Sequence, residues 1–344
     1  MQNESILRVE EAIKAIKNGE MIIVMDDEDR ENEGDLVMAG IFSTPEKINF
    51  MAQEARGLIC VSITKELSLK LDLPPMVSKN SSNHETAFTV SIDAKEAKTG
   101  ISAYERDLTI NLMCKPNTKP EDFVRPGHIF PLIAKEGGVL ERTGHTEASI
   151  DICKLAGLKP ISVICEIMKE DGLMAHRGDK FLMDFSKKHN LKILYVSDLV
   201  QYRLQFEQLI EIVSIKEAEF CGKKAQKFEI KDHLNRIHRV FKFKDSKEPF
   251  VKFHHIKEDV DFMENSAEFN ALTKAVEKMS QEGGYLVCMQ THKQKDVKGV
   301  GIGAQILKSL KVHDFKLLST SEVEKQSLML GGFNLKIIDK IELD

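Results

Sequence analysis

The sequence predicts a layered α/β protein of two domains. Strand-length apolar runs such as MIIVM and LICVSI alternate with amphipathic helical stretches, the 344-residue length exceeds one ordinary core, and the texture changes near residues 200–215. The segments 74–85 and 115–128 are too irregular for a simple doubly wound sheet, so the first domain is expected to be built on a mixed one.

In chain order, residues 4–18 place Ile6, Val9, Ala12, Ile13 and Ile16 on one helical face, and Gly19 supplies the left-handed residue that commonly ends a helix. Strand MIIVM comes next. Thr44 and Pro45 form an N-cap and first-turn pair for EKINFMAQEA, Gly57 ends that helix, and LICVSI is the next buried strand. TAFTVSID is a further strand, EASIDICKLA a helix closed by Gly157, ISVICEIM a buried strand, DKFLMDFSKKH a helix and LKILYVSDL a strand. VQYRLQFEQLIEIVSI then passes into new strand-like sequence, which divides the chain into domains 1–204 and 205–344. The second domain holds strands around HRVFKF, YLVCMQ and NLKIID, a helix over AEFNALTKAVEKMSQ and a Gly-rich turn at VGIGAQ.

Hydrophobic content of 42%, charged content of 30% and a formal net charge of -5 describe a folded, mildly acidic chain and argue against nucleic acid as a partner. No apolar run approaches the roughly 20 residues that span a bilayer, and the N-terminus lacks a basic-then-apolar signal pattern, so a cytoplasmic protein without a membrane partner is expected. The six scattered cysteines include no CxxC pair, which points to buried, reduced thiols.

Four features carry chemistry. DDEDRENEGD, residues 26–35, concentrates carboxylates at the end of a buried strand, where α/β proteins often gather ligands. A solvated loop is the plain alternative, but the like charges repel unless Arg30 or a hard divalent metal offsets them. RTGHTEASID, residues 142–151, sets Arg142, Gly144 and His145 before a helix with Thr146 as candidate N-cap, an arrangement suited to phosphate. His145 beside it could complete a metal shell begun by oxygens of the acidic loop. VRPGHIFPLIA holds His128 in a rigid turn, a setting found for general bases as well as for simple turn caps. Glu166 ends an apolar strand, where a carboxylate must be paired, protonated or linked to a metal. Together these residues indicate a metal-assisted enzyme acting on a small phosphorylated substrate.

The stretches DDEDRENEGDLV, TAFTVSID, TGISAYERDLTI, RPGHIFPLIA, GGVLERTGHTEASIDICKLAG and CEIMKEDGLMA resemble the 3,4-dihydroxy-2-butanone-4-phosphate synthase family of riboflavin biosynthesis, in order from about residue 5 to 203. The resemblance implies a three-layer fold with a mixed, twisted sheet, and a homodimer with active sites at the subunit interface. It also implies conversion of D-ribulose 5-phosphate to L-3,4-dihydroxy-2-butanone 4-phosphate and formate. By matching motifs, it makes Glu31 and His145 ligands of Mg²⁺ or Mn²⁺, two ions per active site, and has Arg30 and Asp35 contact substrate. It assigns phosphate to Arg142, Thr143, Gly144, His145 and Thr146, and proton transfer to His128 and Glu166, the latter also touching substrate.

Residues from about 206 onward resemble the GTP cyclohydrolase II family, most clearly at GIGAQILKSLKVHDFKLLST. This smaller α/β domain departs from the family where three zinc-binding cysteines belong, since Ala267 and Phe269 stand at two of those positions and the first falls near Lys257. Without thiolates no closed zinc site is expected, and adjacent His254 and His255 on a strand would point to opposite faces. The nucleotide-contacting region is also shortened, because YLVCMQTHKQKDVKG runs almost directly into VGIGAQ, where Gly299, Gly301 and Gly303 are read as turn residues. The expectation is a catalytically silent domain. A bifunctional enzyme that also opens GTP, or a regulatory ligand-binding module, is the alternative.

Overall fold

In the computed structural model, residues 2–28, 30–290, 297–319 and 335–343 are described. Readings at Asp29, on THKQKD and at Thr320 lie outside them. The chain forms two compact units, Met1–Tyr202 and Arg203–Asp344.

The first unit runs α1 (Gln2–Lys17), β1 (Ile22–Met25), β2 (Gly34–Ala39), α2 (Pro45–Phe50), β3 (Cys60–Ile63), α3 (Lys65–Lys70), β4 (Ile92–Ala94), α4 (Ala103–Cys114), β5 (Phe123–Ile133), α5 (His145–Leu155), β6 (Ser162–Glu166), α6 (Lys180–His189) and β7 (Lys192–Tyr195). A further helix, α7, spans Val196–Phe206. The sheet order is β4-β5-β3-β6-β2-β1-β7, with parallel pairs only at β3–β5 and β1–β7, so the sheet is mixed as expected. Side-chain alternation then sorts the layers. Ile23, Met25, Leu36, Met38, Val61, Val163 and Cys165 join one buried cluster with Ile48 of α2, Ile110 and Met113 of α4, and Leu182 and Phe185 of α6. The opposite face carries Asp35 and Glu166 and packs against α5.

Local signals explain most termini. Val9, Ala12 and Ile16 of α1 are fully buried, and Gly19 takes φ +80° with the Phe42 ring 3.1 Å from the position of an added Cβ. Thr44 caps α2 by accepting from the Lys47 N–H at 3.3 Å.

Several boundaries are corrected. The left-handed residue after α2 and its π-helical turn Met51–Ala55 is Arg56, not Gly57. Gly57 is required for another reason, because a Cβ there would lie 2.3 Å from the Glu166 carbonyl oxygen. The strand read over TAFTVSID shrinks to Ile92–Ala94, with single bridges at Phe88 and Thr89. LKILYVSDL breaks at Tyr195, and the chain from Val196 onward is helical, with Val196, Leu199, Val200 and Leu204 buried at helical spacing. The N-cap of α5 is Gly144, and Thr146 sits one residue into the helix. Cys221 is exposed, whereas the other five cysteines are buried and all six are free.

The second unit contains β8 (Ile210–Phe220), β9 (Lys223–Asp232), β10 (Ile237–Lys242), β11 (Phe250–His255), α8 (Asp259–Glu264), α9 (Ser266–Glu282), β12 (Gly284–Met289), α10 (Val297–Ser309), β13 (Asp314–Ser319) and β14 (Lys336–Glu342). Its sheet order is β14-β13-β11-β12-β10-β9-β8, again mixed. Asp232 closes the β9–β10 hairpin by accepting the Leu234 and Arg236 N–H groups, and its carboxylate pairs with Arg236 at 2.7 Å and with buried His238 at 3.1 Å. The segment VGIGAQ, expected as a turn, lies within α10. Gly301 and Gly303 serve packing there, with Leu204 and Phe253 at 2.6 and 2.7 Å from the positions of added Cβ atoms. No helix among the described residues is long and apolar enough to cross a membrane.

Candidate active site

The acidic loop is organised by one buried residue, Asp26. Its Oδ2 accepts from Arg30 Nη1 at 2.7 Å and from the Glu31 N–H at 3.1 Å, and its Oδ1 accepts from the Glu33 N–H at 2.8 Å. The loop is thereby folded back over the end of β1, which turns the Glu31 carboxylate toward His145. Arg30 spans the two acids, donating to Glu31 Oε2 at 2.6 Å and Oε1 at 3.1 Å.

His145 opens α5 and is buried. Its Nδ1 lies 3.4 Å from Glu31 Oε2 and its Nε2 lies 3.8 Å from Asp35 Oδ1. Ligand atoms of Asp26, Glu31 and His145 all fall within 4.8 Å of one another. The sequence alone assigns Asp26 no role, yet it completes this group. Its one signal is its position as the first residue after an apolar strand, and the other acids of the loop carry no mark that separates them from it.

Charge crowding is large here. Burial would raise the Glu31 carboxyl, but the bond to His145 and the charges of Arg30 and His145 hold it at about 2. Burial, followed by the charges of Glu166, Glu33 and Glu31, pushes the Asp35 carboxyl well above the usual carboxylate range against the pull of His145. His145 is disfavoured as a cation by burial, yet Asp35, Glu31 and Asp26 raise it to about 9. Asp35 Oδ1 is buried without a hydrogen-bond partner among the described residues. Compact oxygen and nitrogen donors and an orphaned carboxylate oxygen fit a hard divalent cation.

Glu166 lies opposite Asp35 in the β2–β6 ladder, so both side chains leave the same face of the sheet. It is half-buried, and its Oε2 accepts from the Leu58 N–H at 2.8 Å. An added Cβ at Gly57 would stand 2.6 Å from that oxygen, which makes glycine necessary at this close approach.

Arg142 folds across the start of α5. It donates to Glu147 Oε2 at 2.6 Å, to the His84 carbonyl at 3.0 Å and to Thr86 Oγ1 at 3.3 Å. Glu147, which the sequence does not single out, is buried and also accepts from the Lys135 N–H at 3.0 Å. Gly144 makes the fold-over possible, since a Cβ there would lie 2.3 Å from Arg142 Nη1. Because Gly144 caps α5 with no side-chain acceptor, the N–H groups of the first turn, including those of His145 and Thr146, keep their attraction for an anion, with Thr143 beside them.

His128 stands apart from this cluster, since β5 and β2 are separated by β3 and β6 in the sheet. Its turn is real but lies inside a strand. Ile92 pairs with Ile129 and Asp93 with Val124, which leaves Arg125–His128 as a bulge in β5. Its Nδ1 is 2.8 Å from Asp93 Oδ2.

In the second unit, His254 and His255 end β11, and His254 packs edge-on against Phe262 with ring centroids 5.0 Å apart. Lys257, near one of the expected cysteine positions, pairs with Glu268 at 2.6 Å, while Ala267 and Phe269 lie in α9.

A family model described as 3,4-dihydroxy-2-butanone 4-phosphate synthase matches residues 10–202, and one described as GTP cyclohydrolase II matches residues 289–342. A protein from Helicobacter hepaticus named 3,4-dihydroxy-2-butanone 4-phosphate synthase is 63% identical, covering 98% of this chain and 99% of its own length. The Riboflavin biosynthesis protein RibBA of Aquifex aeolicus is 42% identical over 97% of this chain and 92% of its own. Among solved structures, RibBX, a two-domain 3,4-dihydroxy-2-butanone 4-phosphate synthase from A. baumannii, aligns with a TM-score of 0.81 at 38% identity, covering 98% of this chain and 99% of that one. A 3,4-dihydroxy-2-butanone 4-phosphate synthase in complex with two magnesium ions aligns with a TM-score of 0.54 at 40% identity, covering 58% of this chain and 97% of that one.

Proposed function

The chain belongs to the 3,4-dihydroxy-2-butanone 4-phosphate synthase family, a lyase of riboflavin biosynthesis, and from that premise we propose that residues 1–204 carry the whole reaction while residues 205–344 are catalytically silent. The reaction converts D-ribulose 5-phosphate to L-3,4-dihydroxy-2-butanone 4-phosphate and formate, and its phosphorylated substrate supports a cytoplasmic setting. The observation that carries the site assignment is the convergence of Asp26, Glu31 and His145 at the start of α5.

Glu31 and His145 would hold Mg²⁺ or Mn²⁺, two ions per site, with Asp26 and Asp35 near enough to share the charge. When bound, the metal supplies a fixed positive charge against the enolate and alkoxide oxygens that develop as the ketose is enolised, dehydrated and rearranged. The chain's own groups do the remainder. Arg142 and the N–H groups of residues 143–146 bind phosphate, Arg30 and Asp35 orient the sugar, and Glu166 and His128 move protons, each step of that kind being worth about 100-fold to 10,000-fold.

We also read the enzyme as a homodimer with its active sites at the subunit interface. Tyr104 and Leu108 of α4 and Ile101 just before its N-cap are exposed apolar side chains, as is Val124 of β5. A second copy covering that edge makes Tyr104→Arg a monomer in analytical ultracentrifugation, and an unchanged dimer would place the interface elsewhere.

The silence of the second domain is supported by the residue types at 257, 267 and 269, which offer no thiolate for zinc. Purified protein is expected to release formate from ribulose 5-phosphate and none from GTP. Formate with pyrophosphate from GTP would establish a bifunctional enzyme instead, and heat on titrating GTP or a flavin without turnover would indicate a regulatory module.

A further inference from the structure

We propose that Asp93 is a positioning residue for His128, fixing which ring nitrogen carries the hydrogen; the inference rests on the reading of His128 as a proton-transfer group. The Asp93 carboxylate is buried and meets His128 twice. Its Oδ1 accepts the His128 backbone N–H at 2.8 Å, and its Oδ2 lies 2.8 Å from the ring Nδ1. An ionised carboxylate only accepts, so Nδ1 carries the hydrogen and the Nε2 lone pair is left to take a proton. The ring itself is 43% exposed and so stays accessible to substrate.

Three features of the surrounding chain hold this pair together. The bulge Arg125–His128 lifts His128 out of the β4–β5 ladder and re-aims its side chain, as bulges near active sites do. Gly127, inside the bulge, donates its N–H to Ser91 Oγ at 3.1 Å and approaches so closely that a Cβ would lie 2.0 Å from the Ile92 carbonyl carbon. On the other side Gly100, at φ +80°, would place a Cβ 2.0 Å from Asp93 Oδ2 and 2.6 Å from His128 Nδ1. A carboxylate serving only to tie down a turn needs the backbone contact alone. Here the second oxygen is spent on the ring, and two glycines keep the space around it clear.

Asp93→Asn tests the assignment. An asparagine has one accepting oxygen and one donating amide, so it cannot receive both the His128 N–H and Nδ1–H, and the neutral ring is driven to the Nε2–H form. Long-range proton–nitrogen spectra of full-length protein labelled at histidine, recorded with the ring neutral, are expected to show Nδ1–H in the parent and Nε2–H in the variant. The variant's kcat is expected to fall about 100-fold or more with KM for ribulose 5-phosphate little changed. An Nε2–H ring in the parent overturns the inference without need of any variant, which covers the case in which Asp93→Asn does not fold. His128→Asn at the parent rate overturns the proton-transfer reading and this inference with it. Loss of activity in His128→Asn alongside parent kcat in Asp93→Asn overturns the inference alone.

Discussion

Glu166→Gln is expected to lower formate release from ribulose 5-phosphate by about 100-fold to 10,000-fold, the span typical of a lost proton-transfer group. The substitution isolates chemistry from architecture. Glutamine keeps an oxygen that accepts the Leu58 N–H, now met at 2.8 Å, and matches glutamate in volume, so the close passage against Gly57 is undisturbed. The change removes the carboxyl's capacity to take and give a proton, together with its charge. Thermal denaturation coincident with the parent shows that the fold is intact, and kcat then reads the proton-transfer role. Parent-like turnover would remove Glu166 from the mechanism and leave His128 as the remaining candidate.

Chelation should have an effect as large. Protein stripped with EDTA is expected to be inactive and to recover with Mg²⁺ or Mn²⁺. Binding offers a readout independent of turnover, namely the electron paramagnetic resonance signal of free Mn²⁺ titrated with protein. Glu31→Gln and His145→Asn should each weaken that binding at least about 10-fold, since removing even an outer-sphere partner of a ligand costs that much. Full activity after chelation would detach both residues from the mechanism. Asp26→Asn provides a finer comparison, because its carboxylate receives Arg30 and two loop N–H groups. Its loss should disorder the approach of Glu31 to His145 and weaken Mn²⁺ as well.

The site is legible from sequence where chemistry repeats in short motifs and obscure where it depends on distant pairing. Arg142, His145 and Glu166 stand out because an arginine and a histidine at a helix start suit an anion and a glutamate ending an apolar strand is costly without a partner, whereas within the acidic loop only the family resemblance separates Glu31 from its neighbours. Nothing in TAFTVSID distinguishes Asp93 from any other acid after a strand. Its role appears only when β4 lies against β5 with a bulge that brings His128 back to it. Glu147 is hidden in the same way, since its partners are Arg142, folded back from ahead of the α5 N-cap, and the Lys135 N–H of the loop before it.

Secondary structure divides along the same line. Apolar periodicity and punctuation determined the two-unit α/β plan, the mixed character of the first sheet, the start of α2 at Thr44 and the end of α1 at Gly19, because these are set by nearest neighbours and backbone preference. Packing between distant elements decided the rest. Glu166 passes over Gly57 and Arg142 over Gly144, while Leu204 and Phe253 leave no room for a side chain at Gly301 and Gly303 within α10. A residue's own propensity and spacing are written in its neighbours along the chain, whereas the reason for a missing side chain lies in whatever atom the fold brings against it.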